Sequence, residues 1–132
     1  RAPPLAESVA GTNGATPTYV FQAHLFDKTR PENLDFLRRF RALLDEYQDR
    51  AAVGEVGDED RSLRTLAAYT SGGDRLQMCY TFDLLGPQFS AAHVRGCVEA
   101  FEHAVADGWV CWAFSNHDVV RHVSRWTGPD GD

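Results

Sequence analysis

Three short apolar runs, AAVGEV at 51–56, LQMCYTFDLL at 76–85 and WVCWAF at 109–114, alternate with segments whose apolar residues recur at steps of three and four. Runs this brief, without regular polar alternation, read as strands covered on both faces, whereas the intervening segments have the period of amphipathic helices. The order helix, strand, helix, strand, helix, strand, helix is that of parallel strands joined by crossover helices, which makes the fold class α/β with a parallel sheet. The strand starts at 51, 76 and 109 lie 25 and 33 residues apart, about one strand-helix unit each. A dinucleotide-binding sheet takes about six strands and a (β/α)8 barrel eight. The chain is therefore either a small open sheet or part of a barrel.

The helical segments are legible individually. PENLDFLRRFRALLDEY places Leu34, Leu37, Phe40, Leu43, Leu44 and Tyr47 on one face of a helix entered through Pro31 and Asn33. Asp58, Glu59 and Asp60 suit the start of a second helix, which carries Leu63, Leu66 and Ala67 and stops at Ser71-Gly72-Gly73. Ser90 is the expected cap of a third, with Val94, Cys97, Val98, Phe101, Ala104 and Val105 at helical spacing up to Asp107-Gly108. A last amphipathic stretch runs from about Asp118 to Trp126. Residues 1–20, rich in Pro, Gly, Ala, Ser and Thr, read as a long loop, 21–126 as the folded part and 127–132 as a tail.

Composition excludes several functions. The 13 Lys+Arg against 19 Asp+Glu leave a net charge of −6, and Lys28 is the one lysine, so no basic stripe is offered to phosphates and no nucleic-acid partner is expected. No apolar run approaches the ~20 residues of a membrane span, and RAPPLAESVAG lacks the apolar stretch of a signal peptide, so no membrane association is expected. Cys79, Cys97 and Cys111 are an odd number without a C-x-x-C pair, and they fall in apolar segments. They read as buried reduced thiols and place the chain in the cytoplasm, with the periplasm as the alternative.

In parallel α/β folds the chemistry sits at the carboxyl ends of the strands. Glu55, Asp83 and Asn116-His117-Asp118 stand at those ends. A glutamate emerging from an apolar strand is expected to be partly desolvated and to suit proton donation, although Glu55 reads equally well as a cap of the next helix. Asp118 is a candidate site carboxylate or a helix N-cap, and Arg121, one turn on, could keep it ionised. Trp109, Trp112 and Phe114 supply aromatic surface for stacking a sugar or filling a core. A metal held by His117, Asp118 and His122 matches no metal-helix pattern, so no metal site is expected. The absence of G-x-S-x-G, Walker and G-x-G-x-x-G motifs sets aside serine nucleophiles and nucleotides.

Val53-Gly54-Glu55-Val56 and Phe114-Ser115-Asn116-His117-Asp118 with Arg121 resemble two of the four signature regions of the α-amylase superfamily of retaining glycoside hydrolases. Gln22-Ala23-His24-Leu25-Phe26-Asp27-Lys28, Arg30-Pro31-Glu32-Asn33 and the extended NHDVVRHVSRW are similar to the bacterial α-glucosidase branch, near the oligo-1,6-glucosidases. The resemblance runs from about Tyr19 to Trp126. It implies that Glu55 is the general acid/base, that Asp118 is the carboxylate stabilising the oxocarbenium-like transition state, that His117 binds the same glucose and that Arg121 lies near the substrate subsites. It implies an oligosaccharide or α-glucoside substrate and no cofactor, any structural calcium or magnesium lying outside this segment. Asp83 has no counterpart among the catalytic residues and is taken as structural.

The family's nucleophile, an aspartate in a G-x-R-x-D motif on the preceding strand, does not occur in this sequence. The resemblance therefore implies strands five to seven of a (β/α)8 barrel, with residues 1–20 as the loop after the nucleophile strand. The segment alone is expected to be inactive and to self-associate through open sheet edges. The parent is expected to be an α-glucosidase acting on terminal α-linked glucose. The alternatives are a non-catalytic superfamily member serving as a binding or accessory protein, and a free-standing small α/β domain.

Overall fold

The computed structural model describes residues 25–57 and 61–127, in two units divided between Pro31 and Glu32. The expected loop at 1–20, the acidic cluster 58–60 and all of the tail but Thr127 lie outside the described residues. In the first unit Arg30 donates from Nη1 to the Leu25 carbonyl at 2.8 Å, with its guanidinium 5.7 Å from the Phe26 ring centre.

The second unit contains α1 (Asn33–Asp45), β1 (Val53–Val56), α2 (Ser62–Thr70), β2 (Met78–Thr81), α3 (Ala91–Ala104) and α4 (His122–Thr127). β1 and β2 pair in parallel, with Val53, Gly54, Glu55 and Val56 opposite Met78, Cys79, Tyr80 and Thr81. The α/β class with a small parallel sheet is thus present. The third apolar run does not become a full strand. It meets β2 through one parallel bridge, Cys79 to Val110, in which Cys79 N donates to Trp109 O at 3.3 Å and Cys111 N to Cys79 O at 2.7 Å. Beyond it the run is committed elsewhere: Trp112 packs edge-on against Phe101 at 5.8 Å, and the Phe114 carbonyl accepts from Arg125 at 2.7 Å.

Burial alternates along the strands. Val56, Cys79 and Thr81 are buried, whereas Val53 and Glu55 are exposed and Met78 and Tyr80 half-buried on the opposite face. Within this chain the strands are therefore covered on one face, by helices, rather than on the two faces their apolar runs led us to expect. α2 is the central helix, packing on both strands and on α1 and α3. Leu66 of α2 and Cys79 of β2 are fully buried, joined in the core by Leu37, Val56, Leu76, Phe101 and Val105. Burying such side chains contributes about 1.5–3 kcal/mol each for the larger ones.

α1 buries less than its pattern promises: Leu37 is buried and Leu43 exposed, and the helix ends at Asp45, before the exposed Tyr47. Polar contacts complete its attachment. Asn33 donates to the Tyr69 hydroxyl at 3.0 Å, Arg41 to the Arg75 carbonyl at 3.2 Å and Arg38 to Asp74 at 3.0 Å. Arg75, with Arg38 beside it, holds the Asp74 carboxyl below the usual carboxylate range. α2 stops as expected at Ser71, where Gly72 and Gly73 take φ of +83° and +70°, a region open to glycine. Asp107 accepts from the Gly72 amide at 3.1 Å, tying this turn to the end of α3. Ser90 caps α3 as its sequence indicates, accepting from His93 N at 3.0 Å.

The tightest approach in the sheet is at Gly54. A Cβ there would stand 2.6 Å from Leu76 Cδ1 and 2.7 Å from Cys79 Sγ. Gly54→Ala is expected to force the strands and Leu76 apart and to destabilise the fold by about 1–3 kcal/mol, the usual cost of overpacking a close-packed core. Urea denaturation measures this, and an unchanged midpoint would contradict so tight a packing.

Candidate active site

Glu55 and Tyr80 are direct partners across the parallel pair, so both side chains rise from the same, helix-free face. Over this face the chain returns after the Val110 bridge. Asn116 Nδ2 donates to Glu55 Oε1 at 3.4 Å, while Asn116 Oδ1 accepts from the Asp118 backbone N–H at 3.0 Å, closing an Asx turn. The Tyr80 hydroxyl lies next to Glu55 and Asn116. Burial and the neighbouring Glu55 carboxylate push its phenol above the usual tyrosine value, with Asp118 adding in the same direction. Two strands and the segment after the third apolar run thus bring Glu55, Tyr80, Asn116 and Asp118 into one cluster. His117 lies beside Asp118, Nε2 to Oδ1 3.3 Å, and both side chains are exposed.

Several expectations need correction. Glu55 is exposed rather than buried, because no helix of the described chain packs on its face. It does not cap α2 either, whose N-cap is Arg61 and makes no side-chain capping bond. Asp118 is not the N-cap of the last helix. α4 begins at His122, whose N–H donates to Ser115 Oγ at 2.9 Å, with the His122 ring Nδ1 3.1 Å from the same oxygen. Arg121 is exposed and, among the described residues, pairs with no carboxylate; Asp118 is beside His117 instead. Asp83 stands apart from the cluster, with Thr81 Oγ1 donating to its carboxylate and its carbonyl 3.1 Å from His93 Nε2, as suits a structural residue. From sequence Asn116 stands at a strand end with no role of its own, and Tyr80 does not stand out at all, since the register that sets Tyr80 against Glu55 is a tertiary property. The signal for Asn116 was its position two residues before Asp118.

α4 fastens the segment that carries Asn116 and Asp118 through Arg125. Arg125 donates to the carbonyls of Gly86 at 2.8 Å, Leu84 at 3.2 Å and Phe114 at 2.7 Å, and also to that of Val120, while its guanidinium stacks over Trp126. Phe114 and Phe89 pack on the same indole at 5.5 and 4.8 Å. These contacts consume Phe114 in packing, and Trp112 is occupied by Phe101, so of the three aromatics considered for sugar stacking Trp109 remains mostly exposed, at 70%.

The three cysteines are free. Burial pushes the Cys79 thiol up to about 11, as befits a small core hydrophobe, and burial followed by Asp83 raises Cys97. Among the described residues no three His, Cys, Asp or Glu side chains stand close enough to hold a metal ion, and no helix is long and apolar enough to cross a membrane.

No family model matches the chain. It is 54% identical to a probable α-glucosidase of Rhizobium meliloti (strain 1021) over 89% of its own length and 21% of that protein's. It is 26% identical to Maltase A2 of Drosophila melanogaster, over 90% of this chain and 23% of that protein. The fold superposes on the crystal structure of an α-glucosyl transfer enzyme, XgtA, with a TM-score of 0.80 and 44% identity, over 99% of this chain and 24% of that one. The chain thus spans about a fifth of the length of the curated relatives it matches. These matches agree with the resemblance to the α-amylase superfamily: the chain is similar to part of a probable α-glucosidase and to part of an α-glucosyl transfer enzyme.

If Arg125 fastens the segment carrying the site, Arg125→Ala is expected to loosen residues 114–118 while leaving the β1–β2 pair intact. Amide hydrogen exchange reads this directly. The Asp118 N–H, bonded to Asn116 Oδ1, should lose protection by roughly tenfold or more while the β2 amides keep theirs, since one bond to a charged group contributes about 1.5–3 kcal/mol. Arg125→Lys should not restore protection, because an ammonium cannot reach several carbonyls in one plane.

Proposed function

We propose that the protein carrying this segment is a retaining α-glucosidase that removes terminal α-linked glucose from short oligosaccharides. The observation that carries the proposal is the 54% identity to a probable α-glucosidase over nearly the whole chain; the meeting of Glu55 and Asp118 through Asn116 supports it. In this reading residues 21–126 are part of a catalytic barrel, β1, β2 and the 109–114 run being its strands five, six and seven. Residues 1–20 are the loop after the nucleophile strand and 127–132 a tail. The protein works in the cytoplasm, takes no cofactor and has an oligosaccharide or α-glucoside as its partner. The exposed face around Val53 and Met78 makes self-association of the isolated segment expected.

Retaining hydrolysis uses two carboxylates about 5–5.5 Å apart. One, not in this sequence, attacks the anomeric carbon. Glu55 is the other: protonated, it gives its proton to the departing glycosidic oxygen, and as a carboxylate it then takes one from the incoming water. Asp118 faces the positive charge that develops on the sugar ring, His117 binds the same glucose, and Arg121 lies toward the subsites. The similarity to an α-glucosyl transfer enzyme favours a second outcome for the same first step, in which a sugar hydroxyl rather than water gives its proton to Glu55 and accepts the glucosyl group.

In the full-length protein, Glu55→Gln should lower turnover of maltose by ~10²–10⁴-fold. It should spare the first step on an activated aryl α-glucoside, whose leaving group departs without a proton. Burst kinetics with both substrates test this, and equal losses on the two would remove Glu55 from the acid role. A wild-type protein that binds maltose without turning it over would instead support an accessory, non-catalytic member of the superfamily. Asp118→Asn should lower kcat more than it raises KM, because a charge facing the transition state acts mostly there. A change confined to KM would make Asp118 a ground-state binding residue. Product analysis at high maltose separates the two outcomes: glucose alone marks hydrolysis, longer saccharides mark transfer.

A further inference from the structure

Tyr80 is the member of the cluster that neither signature region contains. It lies on β2, directly opposite Glu55 in the parallel register, and it is half-buried where Glu55 is exposed. A strand partner has little freedom to move relative to its neighbour, so a hydroxyl placed there is a fixed point against which a flexible glutamate can be held. Asn116 also reaches Glu55, at 3.4 Å, from a turn rather than from the sheet.

We propose that Tyr80 is a positioning residue for Glu55, its hydroxyl donating a hydrogen bond to the Glu55 carboxylate and holding it toward Asn116 and the Asp118 turn. The proposal rests on the reading of Glu55 as the acid/base. A phenol serves this purpose only while protonated, and the neighbouring carboxylates keep it so: Glu55 and, more distantly, Asp118 both oppose its ionisation. Among the described residues, the charged or titratable groups of this cluster beside Glu55 are Tyr80 from β2 and, from the turn, Asp118 with His117 beside it. The bond fixes the carboxylate for both steps, the second being the one in which Glu55 takes a proton from the attacking molecule.

Tyr80→Phe removes the oxygen and leaves the ring. In the full-length protein the alkaline limb of kcat/KM against pH, which reports the protonated acid, should move upward by about half a unit to one unit, and kcat on maltose should fall roughly threefold to tenfold. A merely structural role would lower Tm and leave the limb in place, and an unmoved limb overturns the proposal. A second measurement needs no activity. The Tyr80 phenol, followed by NMR with labelled tyrosine, should titrate at lower pH in Glu55→Gln than in the wild type, because the facing negative charge is gone. A Tyr80 titration that ignores Glu55→Gln also overturns the proposal. The underlying reading fails separately: if Glu55→Gln itself leaves maltose turnover intact, Glu55 is not the acid, whatever Tyr80 does to its limb.

Discussion

Cys79 sits where three segments of chain converge. Its backbone pairs with Gly54 of β1 on one side and bridges to Val110 on the other, donating to Trp109 and accepting from Cys111. Its side chain is fully buried against the bare face of Gly54. A larger residue at either position would separate the strands, and everything above them depends on that separation. The small thiol, kept neutral by burial, and the missing side chain of glycine together set the distance at which Glu55 and Tyr80 face one another.

From this point the site is assembled by two different kinds of restraint. Glu55 and Tyr80 are placed by the sheet ladder, a rigid element whose register admits no intermediate positions. Asn116, His117 and Asp118 lie beyond the Val110 bridge, where the ladder no longer holds the chain. Side chains take over there: Ser115 caps α4, Asn116 closes its own turn, and Arg125 gathers the carbonyls of four residues from two loops. The sheet supplies the fixed half of the cluster and α4 the adjustable half.

Much of this is legible in the sequence. The alternation of brief apolar runs with helical periods specifies parallel strands and crossover helices because strand and helix differ in period and in the length of chain they need. Ser90 and Ser71-Gly72-Gly73 marked helix ends because capping and left-handed backbone are local properties. Glu55 and Asp118 stood out by their positions at strand ends. The sequence misled where the outcome depended on which faces were covered. Leu43 and Tyr47 have the right spacing for a buried face, but α1 lies over the edge of the core. The 109–114 run is as apolar as β2, yet its later residues pack on α3 and α4 instead of extending the ladder.

What the chain determined by itself was therefore its elements and the residue types at their ends, since these follow from propensity, period and capping within a few residues. Tertiary structure decided who meets whom. That Tyr80 faces Glu55, that Asn116 bridges Glu55 to Asp118, that Ser115 rather than Asp118 caps α4, and that Asp83 is left out of the cluster all depend on strand register and on contacts between residues up to 61 positions apart. No local pattern encodes such pairings. They exist because Gly54 and Cys79 let the strands pack to one spacing, and because Arg125 closes the returning segment over that spacing.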